Sequence, residues 1–519
     1  MQLHALLVGT ACVVCASVSV SAQDLCFEAT SYAVGAEPSH VVLADFSGDG
    51  LLDMAVANHD ARLDNRVSIL VNNGDGTFAP SVFYEVGDRP YWMTTSDLNA
   101  DGWIDLVVTN YFGASISVLI NAGGAGFAPQ VQYTTGGGPT FVAVGLFDVN
   151  GSPDLVVCNG FEDSTSILLN NGDGTFAEQV QYPIGSNPYG VATADFNTDG
   201  FIDVAASNYG SGAVNTEISV LMNLGDGTFA PHVTYLAGIA SVGIAAVDLD
   251  NDGFADLVTA NEGFAAENNT LSVLKNNGDG TFAPHIEYVV GTGPYSVATA
   301  DFNADGFADV TSANEGGTVS ILLNNGDGTL AAAANTTVAF GALGVATGDL
   351  DGNGTPEIAV ACYVADEVWV LFNEFVGLAL QPASVEAPLG GSATFVVLAV
   401  GPGPFTYQWR HEGVELVDGE SFSGTTTDTL VVDPVLPRVT GTFDVVVTNE
   451  CGSLLSAPAT LMIASVDCPA DLNGDNSVGG ADLAILLGGW GRSGLGDLNG
   501  SATIDAADLA MLLGSWGSC

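Results

Sequence analysis

Aspartate or asparagine falls on alternate residues of a short run that recurs seven times along the chain, as in DFNADGFAD at residues 301–309. Oxygen-bearing side chains alternating along a tightly turning loop converge on one point, and a glycine at the sixth position permits the sharp bend. Such a donor set suits a hard cation, above all calcium. In this copy Asp301, Asn303, Asp305 and Asp309 offer side-chain oxygens, and the Phe307 carbonyl fills the gap. Carboxylates gathered so closely repel one another unless a cation lies between them. Asp and Asn also cap turns through their own backbone, so one isolated copy would leave the two readings level. Repetition with the alternation preserved favours the metal.

Equivalent sets are Asp45, Ser47, Asp49, Leu51 and Asp53; then Asp97, Asn99, Asp101, Trp103 and Asp105; then Asp195, Asn197, Asp199, Phe201 and Asp203. Two more are Asp248, Asp250, Asp252, Phe254 and Asp256, the most acidic copy, and Asp349, Asp351, Asn353, Thr355 and Glu357. The seventh residue of each loop acts through its carbonyl. The remaining copy reads as a shortened DVNGSPD, so Asp148, Asn150 and Asp154 are expected to form a turn without tight metal. Six ring sites follow, and each is self-contained, as a structural rather than a catalytic metal site would be. No nucleophile elbow, zinc-protease helix motif or phosphate loop occurs, and nothing singles out a carboxylate pair for glycoside cleavage. His40, His59, His232 and His285 are scattered and read as packing or solvated residues.

Stepping outward from these loops, successive first aspartates lie 52, 51, 47, 53, 53 and 48 residues apart. That length suits four strands and their turns. A short apolar strand follows each loop, as in LVVTN to Asn110. A second strand and an NGDGTF hairpin signal come next, in which Asp75, Asp173, Asp226, Asp279 and Asp327 read as turn residues. A further strand holds a recurrent tyrosine (Tyr84, Tyr133, Tyr182, Tyr235, Tyr288) before a Gly-rich turn and the strand that re-enters the next loop. Four strands per unit, seven units and no helical periodicity predict a mainly β fold with a seven-bladed β-propeller over residues 23–375. Because CFEATSYAVG near Phe27 resembles TFAPSVFYEVG, closure should need the last strands to meet the first.

The run D-x-[ND]-x-D-G-x-x-D with NNGDGTF between units resembles the FG-GAP or VCBS repeat family. Its integrin-type members are seven-bladed calcium-binding propellers. The resemblance implies adhesion, sugar binding or accessory roles in polysaccharide breakdown.

Residues 376–465 change to alternating strands such as FTYQWRHEG and GTFDVVVTNECGS, and resemble an immunoglobulin-like β-sandwich. Trp409 takes the core tryptophan place, Phe443 lies where a tyrosine is usual, and Val397 and Val445 replace the cysteine pair. Residues 466–519 hold a duplicated unit, DLNGDNSVGGADLAILLGGWG and DLNGSATIDAADLAMLLGSWG, in which an acidic twelfth residue opens a helix. It resembles a type I dockerin. The resemblance implies calcium at Asp471, Asn473, Asp475, Ser477 and Asp482 and at Asp497, Asn499, Ser501, Thr503 and Asp508, one or two ions in all, and a cohesin-type partner. Asn476 and Ala502 replace the usual loop glycine. Cys468 and Cys519 flank the unit and are expected to pair, with Cys451 as the rival partner.

The chain carries 60 Asp plus Glu against 7 Lys plus Arg, for a net charge of -53. That balance argues against nucleic-acid binding, which needs clustered cations. Residues 1–22 read as a signal peptide, and no later apolar run reaches the roughly 18 residues of a membrane span. The expectation is a secreted or cell-surface calcium-binding protein that takes a carbohydrate or protein ligand on loops such as 209–217 and 261–270. The alternative is an enzyme or accessory subunit of extracellular polysaccharide degradation.

Overall fold

The computed structural model describes residues 25–518 except 60–64, 125, 211–216, 264–268, 402, 450, 465–467 and 476. The signal-peptide reading of residues 1–22, Asn476, Cys519 and parts of the two variable loops therefore lie outside the described residues. Strand accounts for 47% of the chain and helix for 4%, so the class is mainly β. Contacts divide the chain into two units. The first runs through Ala379 and includes 399–405 and 448–454; the second comprises Leu380–Leu398, Thr406–Val447 and the residues from Leu455 on.

Seven antiparallel four-stranded sheets make up the first unit. The fourth is typical, with strands Pro188–Ala194, Asp203–Asn208, Glu217–Leu221 and Val233–Leu236. In the seventh, the fourth place behind Glu367–Asn373 is taken by Phe27–Ala33, so the start of the chain completes the last sheet. First strands of successive sheets lie side by side, and the seventh, Ala342–Gly348, lies beside the first, Pro38–Ala44. The unit is thus a closed, propeller-like ring without a free inner edge.

Second strands are buried along their whole length because each is covered on both faces by a neighbouring sheet. Side chains alternate across a strand. Met54 and Val56 accordingly pack with Ala359 and Ala361 of the seventh sheet, while Ala55 and Ala57 pack with Leu106 and Val108 of the second. The apolar second residue of each acidic loop is also buried between sheets, as at Phe46, Leu98, Phe196, Leu249, Phe302 and Leu350.

The ninth loop residue opens the second strand and is spent on the backbone. Asp203 accepts from the Phe196 amide at 3.0 Å through Oδ2 and from the Asn223 amide at 2.8 Å through Oδ1. Asn223 in turn donates from Nδ2 to the Ile202 carbonyl and to the Phe147 carbonyl of the preceding sheet, both at 3.0 Å. Its Oδ1 accepts from the Gly225 amide. The same cross-sheet latch joins Asn72 to Leu350, Asn121 to Phe46, Asn170 to Leu98, Asn276 to Phe196, Asn324 to Leu249 and Asn373 to Phe302. Each sheet grips its predecessor, and the series closes on itself.

This latch corrects the reading of the third loop. Asp154 accepts from the Phe147 amide seven residues earlier, the offset of Asp53 to Phe46. Phe147 is therefore the second residue, and the loop runs from Leu146 to Asp154 at full length. Asp148 and Asn150 sit at the third and fifth positions, and Gly151, with φ of 78°, takes the sixth. The expected shortening arose because Leu146, 48% exposed, carries no carboxylate to mark the true start.

Also within the first unit, Cys26 is bonded to Cys451, a partner the sequence did not suggest. Cys468 is itself disulfide-bonded, so Cys451 is not its partner.

In the second unit, a sheet containing Thr406–His411 and Ala459–Ile463 faces a three-stranded sheet of Ala393–Val396, Phe422–Ser423 and Thr429–Val432. Phe395 of the smaller sheet meets Trp409 at 6.1 Å and Phe443 at 4.9 Å, all fully buried. Beyond lie helices α1 (Gly480–Gly488) and α2 (Ala506–Gly514), with Val478, Leu486, Ile504 and Leu512 in their shared core. No helix among the described residues is long and apolar enough to cross a membrane.

Replacing Asn223 by Ala leaves the Phe147 and Ile202 carbonyls unpaired in the core. The expected cost is about 2–4 kcal/mol, read as a drop in melting temperature. Asp226→Ala in the exposed hairpin should cost less than about 1 kcal/mol. Equal effects would contradict the latch.

Candidate functional site

Inner strands of the ring end in the acidic loops, and the backbone there is shaped by the loop's own side chains. The first aspartate accepts from the amide of the sixth residue, as Asp301 Oδ2 does from Gly306 at 2.8 Å, and the fifth accepts from the seventh, as Asp305 Oδ1 does from Phe307 at 2.9 Å. The sixth residue needs glycine, since its φ reaches about 90° in six of the loops. These contacts hold the first and fifth carboxylates against the turn.

Three sets of carboxylates bring oxygens within 4.8 Å of one another: Asp248, Asp250 and Asp252; Asp349, Asp351 and Glu357; and Asp471, Asp475 and Asp482. The loops at Asp45, Asp97, Asp195 and Asp301 gather no such triple among the described residues. In the last three the third residue is Asn, and Asn99, Asn197 and Asn303 donate to the fifth carboxylate at 2.9 Å. Ser47 donates instead to Asp45. Lys275 pairs with Asp250 at 2.9 Å, so the copy richest in acid also holds the chain's sole lysine. Burial pushes the ninth-residue carboxyls up, to about 6 for Asp105, Asp203 and Asp256 and about 8 for Asp309 and Glu357; hydrogen bonds from backbone amides oppose that rise.

In the second unit Asp482, third residue of α1, accepts from the Leu472, Asn473 and Gly479 amides. Asp508 does the same for Leu498, Asn499 and Asp505 at α2. In that second loop Ser501 turns its hydroxyl to the Thr503 carbonyl, and only Asp497 and Asp508 supply carboxylates among the assigned positions.

At the opposite end, where the inner strands begin, a cavity of about 940 Å³ opens. Its floor is Tyr91, Tyr189 and Tyr295, drawn from the second, fourth and sixth sheets, with all three hydroxyls bonded to one another. Its wall takes the residue that follows each second strand: His59, Tyr111, Gly160, Tyr209, Glu262, Glu315 and Tyr363. Phe161 adds to the aromatic side. His59 stands 6.2 Å from Tyr111 and 6.3 Å from Tyr363, Tyr111 stands 5.2 Å from Phe161, and Tyr209 stands 5.7 Å from Tyr189. The sequence reading missed this funnel and placed His59 among scattered residues. The signal was one residue per repeat just after the strand-ending Asn, in ANH, TNY, SNY and ANE, which only alignment of all seven units in register exposes.

A family model described as an FG-GAP-like repeat matches residues 45–108, 97–157, 147–206, 195–259, 262–312 and 301–360. Together these windows cover more than half of the chain. The chain belongs to the FG-GAP-like repeat family. Each FG-GAP-like window contains at least one acidic loop and at least the start of a second strand. No curated protein matches the chain. Among solved structures, the titin M4 domain in a trigonal form is 24% identical, covering 17% of this chain and 95% of that one with a TM-score of 0.16. The titin M3 domain is 28% identical over 17% and 95%, with a TM-score of 0.15. A twitchin kinase region from C. elegans is 18% identical over 17% and 16%, with a TM-score of 0.16.

Burial raises the phenol of Tyr189 to about 12 and pushes those of Tyr91 and Tyr295 well above the usual tyrosine range. Above pH of about 10 the unfolded chain releases these protons while the native ring keeps them, so stability falls as pH rises through that range. Phenolate absorbance in an alkaline titration should lag that of free tyrosine and rise abruptly on unfolding. A smooth rise in a ring that stays folded would contradict the cluster.

Proposed function

We propose that this chain is an exported, non-catalytic calcium-dependent binding protein. On this reading residues 23–375 are a seven-bladed propeller that presents a carbohydrate or protein ligand site. Residues 376–465 are an immunoglobulin-like spacer, and residues 466–519 are a dockerin-like module that docks on a cohesin-type partner outside the cell. The observation that carries it is the convergence of carboxylate oxygens to within 4.8 Å in three loops, at Asp248, Asp250 and Asp252, at Asp349, Asp351 and Glu357, and at Asp471, Asp475 and Asp482.

Calcium fits the residues present, because the loops offer oxygen ligands and carboxylate oxygens come within 4.8 Å of one another in three of them. About six ions in the ring and one or two in the tail are proposed. A bound ion would supply a positive centre that offsets the carboxylate repulsion within each loop. The chain's own contribution is the preformed turn. Among the described residues each loop is self-contained, as a structural metal site is, and this supports binding over turnover.

Chelation should lower the melting temperature of the whole protein, and re-added calcium should restore it; a melt unmoved by chelator would contradict the calcium reading. Leu146→Asp returns the missing first carboxylate to the third loop and should raise the calcium stoichiometry by one. On a panel of acidic and neutral polysaccharides, release of reducing ends or unsaturated products would sink the non-catalytic reading.

A further inference from the structure

The funnel has two unlike sides. Tyr363, His59, Tyr111, Phe161 and Tyr209 follow one another around five sheets, with Asp163 beside Phe161 accepting from the Asn187 backbone amide, whereas the two sheets between Tyr209 and Tyr363 contribute Glu262 and Glu315. No Lys or Arg lines the cavity among the described residues. Arg89, whose charge bears on His59, has its guanidinium over the Phe112 ring at 4.4 Å. Burial holds His59 below its usual range, so the imidazole adds no positive charge near neutral pH. Glu262 is half-buried, and its carboxyl is pushed up by that burial and by the charge of Glu315.

Hydrogen-bond supply separates the ligand classes that an acidic, aromatic pocket can take. A neutral sugar needs donors as well as acceptors around its hydroxyls. Here the floor hydroxyls are consumed by one another, Tyr363 donates to Glu37 at 2.8 Å, and Tyr209 bonds Glu262. Asn187 turns its amide to the Gly210 carbonyl. The wall therefore presents mainly π faces and negative charge, with the donors of the three floor tyrosines, Tyr363, Tyr209 and Asn187 already engaged and the hydroxyls of Tyr111 and Ser186 left to meet a ligand. An organic cation meets that surface by cation–π attraction on one side and by Coulomb attraction on the other, and it relieves the Glu262 and Glu315 repulsion.

We propose that this funnel binds an alkylated ammonium group, gripped between the aromatic arc and the Glu262 and Glu315 carboxylates. The proposal rests on reading the ring as a binding scaffold, and it names the ligand chemistry of that scaffold. The group arrives on a small quaternary amine or on a methylated lysine side chain, which share the headgroup.

The test titrates the calcium-loaded full-length protein with tetramethylammonium chloride, followed by calorimetry and tyrosine fluorescence, against sodium chloride of equal ionic strength. Saturable binding is expected. Glu315→Gln and Tyr111→Leu should each weaken it by about tenfold while leaving the melt unchanged. The double variant Glu262→Gln with Glu315→Gln should weaken it further. Choline and a trimethyl-lysine peptide as competitors identify the source, and displacement by either upholds the site. Absence of saturable binding, or affinity unaltered in both single variants, overturns the proposal. Binding of neutral monosaccharides in place of tetramethylammonium overturns it too, yet leaves the binding-protein reading standing. That reading fails separately, through the chelator melt or through polysaccharide turnover.

Discussion

The ring depends on one repeated contact, an asparagine amide that reaches the backbone of the sheet before it. Asn223 shows why its side chain cannot be exchanged. It receives a glycine amide on Oδ1 and donates twice from Nδ2, while its own amide holds the Asp203 carboxylate. Carboxylate and carboxamide thus satisfy each other's neighbourhood in a site without water access, where an unpaired polar atom is costly. Because seven such links close on themselves, rupture of one leaves its sheet held through the other neighbour. The hydrophobic layers between sheets supply the bulk of the burial, but they are non-directional; the latch sets the angle and register at which each sheet meets the next.

A consequence is that the two ends of the ring have different freedom. At the loop end, the second and ninth residues are fixed by burial and by the latch, and the first, third and fifth are held by the turn. Variation there is limited to replacements such as Ser47, Leu146 and Asn353. At the strand-start end, the residue after each second strand lies beyond the last strand residue and projects into the cavity. Seven positions can therefore differ in chemistry without disturbing the fold. The chain uses that freedom to place aromatic residues on one arc and glutamates on the other.

Much of the ring was readable because period and alternation are local properties. The four strands per unit, the hairpin aspartates and the completion of the last sheet by the first strand all follow from short patterns. The third loop was mis-registered because the pattern was anchored on acidity, whereas the anchor in space is the apolar second residue, Phe147. The Tyr91, Tyr189 and Tyr295 cluster was hidden for another reason. These residues lie 98 and 106 positions apart, on alternate sheets, and only closure of the ring brings their hydroxyls together. The Cys26 and Cys451 bond spans 425 residues, a separation that no local pattern encodes.

Charge counted along a loop also differs from charge arranged in space. Asp250 makes the loop at Asp248 the most acidic by composition, where Asn or Ser takes the third position in four other copies. Yet Lys275 stands where the corresponding residue is apolar elsewhere, Val71, Ile120, Leu169, Met222 or Leu323, and its ammonium reaches both Asp250 and the Asp327 carbonyl of the next sheet. The added carboxylate is matched by an added cation, so this loop approaches the balance of its Asn-bearing neighbours. Asp351 holds the same third position without a lysine, and burial pushes its carboxyl up. Asn353 at the fifth position offsets Asp351, so this loop also carries three carboxylates; what sets it apart is their closeness, with oxygens of Asp349, Asp351 and Glu357 within 4.8 Å of one another and no cationic side chain in an ion pair there among the described contacts.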